Sequence, residues 1–202
     1  MLMVGTDPVE VERMLAGGLL ICPGCAGCLR PWGWARWRVW RFGGGPSRVR
    51  PRRGWCPGCR VTHVLLPVSV LARRADGVAV IGAALVGKAA GAGHRALAVR
   101  LGVAESTVRG WLRRFAARAE DVRVIFTRLL FGLDSSAGAV TAAGSVFADA
   151  VEVVGLAGAA ASRLLGPVDP WQFASAVTGG LLLTPGLKIG SGSKATELIN
   201  TS

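Results

Sequence analysis

A mainly α fold, led by a small β-hairpin module, is predicted by three features of this sequence. Two Cys-Pro-Gly-Cys tetrads, Cys22-Pro23-Gly24-Cys25 and Cys56-Pro57-Gly58-Cys59, bracket a stretch rich in Trp, Arg and Gly. From about residue 74 onward, apolar residues recur at helical spacing in segments punctuated by glycine. The charge is uneven along the chain. Residues 1–128 carry 21 basic against 7 acidic side chains, a net of +14, whereas residues 129–202 carry 3 against 5, a net of −2.

The elements follow in order. Residues 1–18 are expected to hold one short helix: Asp7 is a cap, Pro8 sits in the first turn, Glu10 reaches back, and Gly17-Gly18 stops it. Residues 19–70 read as short strands between turns. The Trp/Arg/Val run at 34–42 is broken by Gly43-Gly44-Gly45-Pro46, and a second run at 48–55 returns. Residues 74–133 read as a helical unit. An Ala-rich helix at 76–90 is ended by Gly91 and Gly93, helices follow at 94–101 and 105–117, and a further helical run extends to about 133. Residues 134–145 are a small-residue linker. A C-terminal helical region at 146–186 holds two helices, 147–165 and 170–183, which pack on each other or on a second copy as a homodimer. Residues 187–202 contain two of the three lysines and the only asparagine, and are expected to form a disordered or foreign tail.

The 202 residues suffice for a buried core in one domain or a few small modules. The net charge is +12, and no acidic residue occurs between Glu12 and Asp76, where twelve arginines accumulate. A field of one sign attracts polyanions, and guanidinium matches phosphate geometry. Base composition that favours Arg, Ala, Gly and Val would raise Arg everywhere, yet the C-terminal third escapes it. The acidic N-terminus, with Asp7, Glu10 and Glu12, does not predict a secretory leader. The longest apolar run, at 77–87, is too short to span a bilayer. A cytoplasmic, nucleoid-associated protein with no membrane partner is expected.

In a reducing compartment, paired cysteines point to metal. Each Cys-x-x-Cys delivers two sulfurs from one tight turn, and two such knuckles close a tetrahedral site. Cys22, Cys25, Cys56 and Cys59 are therefore candidate ligands of a structural Zn2+, in a zinc ribbon spanning 19–70. Four protein ligands leave no open position for catalysis. Cys28 could replace a ligand, although a spare thiol is commoner. His63 could do the same, although a surface or DNA-facing histidine is the plainer reading. Trp32, Trp34, Trp37, Trp40 and Trp55 could stack on unpaired bases, but a small ribbon more often uses such residues as its core.

Residues 94–115 fit a helix-turn-helix. Ala98 lies where two helices cross, Gly102 takes the left-handed turn, and Leu97, Leu101, Val103, Val108 and Trp111 converge on one core. On this register Glu105, Ser106, Arg109, Gly110 and Arg113 face the major groove, while Thr107 and Arg114 suit phosphates. Arg109 and Arg113 could each bond guanine bidentately, and Glu105 could accept from cytosine N4. Ala104 stands where Ser or Thr would cap better. A helical hairpin for protein contacts is the alternative.

The order of these parts resembles the N-terminal region of insertion-sequence transposases, in which a zinc ribbon precedes a helix-turn-helix that reads the element's ends. It also resembles a family of uncharacterised bacterial zinc-ribbon and helix-turn-helix proteins. The residues that carry this resemblance are the ribbon, "RADGVAVIGAALVGKAAGAGHRALAVRLGV" and "STVRGWLRRFAARAE". It covers about residues 1–132, with some similarity at 147–183. It implies Cys22, Cys25, Cys56 and Cys59 as ligands and residues 105–114 as the reading helix. Cys28 departs from the pattern. A transposase also needs three separated carboxylates on an RNase H-like sheet. After residue 132 the acids are Asp134, Asp149, Glu152, Asp169 and Glu197, in a short helical stretch. No catalytic residue is assigned, and an enzyme is not expected. The expected function is binding of double-stranded DNA as a transposase-derived or regulator-like protein. A protein–protein adaptor, or an inactive transposase fragment acting with a partner, is the alternative.

Overall fold

The structure, a computed structural model, describes residues 1–138 and 141–184. Helix makes up 46% and strand 18% of them, so the fold is mixed α and β, where a mainly α fold was expected. The difference lies in the first 67 residues, where strands outweigh helix. The tail at 187–202 lies outside the described residues.

The N-terminal part is built on a four-stranded sheet. Strand β1 (Leu2–Val4) leads into helix α1 (Pro8–Ala16), and strands β2 (Arg30–Trp34), β3 (Arg38–Phe42), β4 (Gly45–Val49), β5 (Arg52–Trp55) and β6 (Thr62–Pro67) follow. The sheet order is β1-β6-β5-β2, while β3 and β4 form a separate two-stranded hairpin. Residues 1–18 are thus more than the single helix expected. Leu2, Met3 and Val4 pair in parallel with Leu65, Leu66 and Pro67, which draws the chain start onto the far strand of the module. Three residues carry too short a pattern to register as a strand from sequence.

Helix α1 starts as its sequence requires. The Asp7 side chain accepts from Val9 N–H at 2.9 Å, and Pro8 occupies the first turn. Its apolar side, Val11 and Leu15, packs with Val4, Leu20, Leu29 and Leu65 into a small core. A second small cluster of Met3, Trp40, Leu66 and Val70 lies on the other side of β6. Successive side chains of a strand alternate faces, so Leu65 and Leu66 serve one cluster each.

The helical part comprises α2 (Val78–Ala89), α3 (His94–Leu101), α4 (Glu105–Ala116), α5 (Ala119–Leu133), α6 (Val146–Leu165) and α7 (Pro170–Val177). Between α3 and α4, Gly102 adopts φ 62°, a left-handed turn that a side chain resists. One core joins all six helices, running from Leu71 through Ile81, Leu97, Trp111, Phe126 and Val154 to Leu183. Phe115 meets Phe147 edge-on at 4.9 Å, and Phe126 meets Phe173 at 6.2 Å. The 134–145 segment therefore joins two halves of one core rather than two cores, and α6 and α7 bury their apolar sides within the chain. Helix α7 ends at Val177, short of 183. Thr178 returns its hydroxyl to the Ala174 carbonyl at 2.7 Å, and Gly179 and Gly180 turn left-handed.

Several hydrogen bonds tie the strand-bearing part and the segment that follows it to the helices. Ser175 Oγ donates to the Val70 carbonyl at 2.9 Å, and Ala72 N–H donates to Gly180 O at 2.8 Å. Arg41 donates from Nε at 2.8 Å and Nη2 at 3.0 Å to the buried Asp76 carboxylate, docking the β3–β4 hairpin at the start of α2. Among the described residues no single helix is long and apolar enough to cross a membrane.

Candidate metal centre and basic helical face

Cys22 and Cys25 lie just before β2, and Cys56 and Cys59 lie in the turn from β5 to β6. Antiparallel pairing sets Arg30 opposite Trp55 and so brings the two tetrads side by side. The 30-residue gap between them is filled by β2, the β3–β4 hairpin and β5.

The two tetrads share one backbone conformation. The N–H of Cys22 donates to Gly27 O at 2.8 Å, and that of Cys56 donates to Val61 O at 2.9 Å. The residue after each second cysteine is left-handed, Ala26 at φ 58° and Arg60 at φ 59°. This turn aims backbone N–H groups at sulfur: Gly24 N–H approaches Cys22 Sγ at 3.4 Å.

All four Sγ atoms lie within 4.8 Å of one another, a group that could hold a metal ion. Cys25 and Cys56 are 3.3 Å apart, and Cys22 and Cys59 are 3.6 Å apart, too far for covalent bonds. A tetrahedron with metal–sulfur bonds of about 2.3 Å has sulfur–sulfur edges of about 3.8 Å. The donor set therefore fits a closed tetrathiolate site. Small residues leave it room: a Cβ at Gly27 would stand 3.4 Å from Cys56 Sγ and 3.5 Å from Cys25 Sγ. The backbone N–H of Cys59 holds the Cys56 thiol down at about 7, against the opposing effect of burial. The Cys59 thiol receives the Val61 N–H, yet burial and the facing sulfurs of Cys25, Cys22 and Cys56 push it up to about 12.

Cys28 is exposed and stands outside the cluster. His63 is not a surface or DNA-facing residue, as the plainer reading had it. It is only 6% exposed, with Nε2 3.4 Å from Cys22 Sγ and Nδ1 3.0 Å from the Met1 amine. An ammonium can only donate, so Nδ1 accepts and Nε2–H is left to donate to sulfur. Such an outer partner orients a ligand without being one. The signal for it was the spacing from Cys59, and only the fold shows which sulfur it meets.

The five ribbon tryptophans were expected to form core. Trp40 does, and Trp55 is half-buried, but Trp32, Trp34 and Trp37 are exposed. Strand β2 lies at a sheet edge, and β3 pairs with no strand but β4 among the described residues, in a hairpin that docks at the start of α2 through Arg41.

On α4 the buried side is Val108, Trp111, Leu112 and Phe115. Glu105, Ser106, Arg109 and Arg113 are exposed on the other side, and Thr107, Gly110 and Arg114 are intermediate. On α3, Arg95 and Arg100 are exposed as well; Arg95 reaches Glu105 of α4, whereas the Arg100 guanidinium lies beside Gly87 of α2. Glu105 is engaged: His94 Nε2 lies 2.9 Å and Arg95 Nε 3.4 Å from its carboxylate, which together hold the carboxyl below its ordinary range. No side chain caps α4, in keeping with Ala104. Arg74 and Arg114 stand close enough to oppose each other. Burial and the Arg114 charge hold the Arg74 guanidinium down, and its Nε has no hydrogen-bond partner among the described residues.

The acids after residue 132 have local work. Asp134 accepts from Ser136 and from Arg163, Asp149 from Ala143 N–H, and Asp169 caps α7. Glu152 is exposed, and Glu197 lies outside the described residues. Family models, curated proteins and solved structures contain no match to this chain.

Proposed function

We propose that this chain binds double-stranded DNA, with α4 as the reading helix of a helix-turn-helix formed by α2, α3 and α4. A structural Zn2+ held by Cys22, Cys25, Cys56 and Cys59 completes a zinc ribbon beside it. The observation that carries this reading is the two-sided character of α4. Its apolar residues are spent on the core, which leaves Ser106, Arg109 and Arg113 facing outward behind the left-handed Gly102 turn.

Arg109 and Arg113 are one helical turn apart and suit guanine O6 and N7, while Gly110 leaves room for the Arg114 guanidinium to lie over it. Glu105 would have to exchange His94 and Arg95 for a cytosine amine, so its contribution to specificity is smaller than that of either arginine. The Arg74 and Arg114 guanidiniums oppose each other and Arg74 Nε has no hydrogen-bond partner among the described residues, which favours a phosphate there, and Thr107 can add a hydroxyl donor. The reading is that of a nucleoid-bound binding protein, transposase-derived or regulator-like, without catalysis of its own.

Selection of bound duplexes from a random pool, with zinc measured on the same preparation, tests it. A consensus should emerge, and affinity should fall with salt by about one log–log unit per phosphate contact. Arg109→Ala should relax base preference at one position, and Arg114→Ala should weaken every duplex alike. Equal binding of all duplexes would remove the sequence-reading role. A protein complex stable to nuclease and high salt, with no duplex bound, would replace this reading with the adaptor.

A further inference from the structure

The N-terminal module presents a surface that the duplex-reading helix does not use. Trp32, Trp34 and Trp37 are 53%, 52% and 54% exposed, although each is large enough to be worth burying. They are not loose. Trp32 packs on Trp55 at 5.5 Å between ring centroids, on the sheet face opposite Arg52 and Trp34, where β2 is bulged between Pro31 and Trp34. The Arg52 guanidinium carbon sits 5.0 Å from the Trp34 centroid, and that of Arg48 sits 4.8 Å from Trp37. Arg52 is itself fixed, donating to Glu12 at 2.6 Å and to the Gly33 carbonyl. Each indole is therefore braced on one side while more than half of the residue stays open to solvent.

The surroundings are cationic. Arg30, Arg36, Arg38, Arg48 and Arg50 are exposed, and no acidic residue occurs between Glu12 and Asp76. Trp34 also walls a groove of about 320 Å³, with Trp40, Phe42, Val49 and Arg50 among its other walls. An exposed indole at the lip of an apolar slot, with Arg50 and Arg52 also lining it, matches a flat apolar ring attached to a phosphate backbone. Bases inside a duplex hide their faces, so the ligand has to be unpaired.

We infer that Trp34 and Trp37 of the module bind single-stranded nucleic acid, stacking unpaired bases on indole while the neighbouring arginines track the phosphates. The site is distinct from α4 and does not depend on the duplex reading. Near a duplex bound by α4 it would hold melted or overhanging strand.

Titration of the full chain with a fifteen-residue oligothymidylate, followed by oligonucleotide anisotropy and tryptophan emission, tests this. Binding should quench the emission, and an abasic oligomer of equal length should bind at least tenfold more weakly. Trp34→Leu and Trp37→Leu should each weaken the oligothymidylate by roughly tenfold, and Trp37→Phe by much less. Arg109→Ala with Arg113→Ala should leave it unchanged, which separates this site from the duplex reader. Equal affinity for the abasic oligomer overturns the inference using unmodified protein alone, whatever the variants do to folding. So does oligothymidylate binding that survives the tryptophan variants but is lost with Arg109 and Arg113. A protein complex that needs these tryptophans, in a chain that ignores oligothymidylate, would also overturn it and assign the face to a protein.

Discussion

Trp111 and Trp171, in the helical part, are 2% and 8% exposed, whereas three tryptophans of the strand-bearing part stand more than half in water. The contrast extends beyond one residue type. Residues 71–184 bury a continuous core contributed by six helices, while the first 70 residues have two small clusters and a cage of thiols. Helices with a wide apolar stripe stabilise each other by burial alone. A module of short strands with both faces partly open lacks that area, and a metal held by its four clustered cysteines would supply what burial does not.

The largest effect that would break this comparison is metal removal. A strong chelator should unfold the strand-bearing part, since structural zinc supplies on the order of 10 kcal/mol of folding free energy. The helical part should keep its far-ultraviolet signal, because its core does not include the cysteines. Loss of both together would show one cooperative unit coupled through Arg41–Asp76, Ser175 and Gly180. Indifference of both to the chelator would remove the metal from the account.

Next in size are paired truncations of tryptophan. Trp111→Ala should cost about 3–5 kcal/mol, read as a fall in thermal midpoint, because a fully packed ring leaves a cavity. Trp37→Ala should stay within about 0.5 kcal/mol, as an exposed site does. Comparable losses at the two sites would mean that the hairpin face is core after all.

A close approach inside the helical part gives an intermediate effect. A Cβ at Gly82 would lie 2.2 Å from the Trp171 ring, so α2 and α7 touch only because residue 82 has no side chain. Gly82→Ala should cost about 1–3 kcal/mol by overpacking. Its thermal melt should shift while chelator sensitivity does not. A stable Gly82→Ala variant would show that α7 can slide, and would weaken the picture of one shared core.

The helical part was more legible in the sequence than the strand-bearing part, for a physical reason. Helices α3, α4 and α5 carry their signals within a few residues: the Leu97, Leu101 and Val108 spacing, the Gly102 turn, the Glu105 start. The four cysteines were equally plain because a tetrad is a local chemical unit. What stayed hidden is long-range. Strand β1 gains its identity only from Leu65 and Leu66, sixty residues away. His63 became a partner of Cys22 only once β6 brought it beside the first knuckle. The tryptophan faces could not be read because alternation says which residues share a face, not whether anything covers it.

The smallest effect concerns the knuckles themselves. Ala26 and Arg60 both hold left-handed backbone, at φ 58° and 59°, where an L residue is strained by roughly 1–2 kcal/mol. Glycine would relieve that strain but lose about 0.5–1 kcal/mol to its freedom in the unfolded chain. Ala26→Gly should therefore gain up to about 1 kcal/mol, and Ala26→Val, with a branched Cβ, should lose more than Ala26→Gly gains. At Gly102 the sign reverses, since Gly102→Ala introduces the strain that Ala26→Gly removes. Competition of each variant with a colorimetric zinc chelator, beside its thermal melt, reads both ends. Ala26 variants should move zinc retention, and Gly102→Ala should move only the helical melt. If Ala26→Val held zinc as tightly as the parent chain, the left-handed turn would not be what aims the backbone N–H groups at sulfur, and the twin geometry of the knuckles would carry no energetic weight.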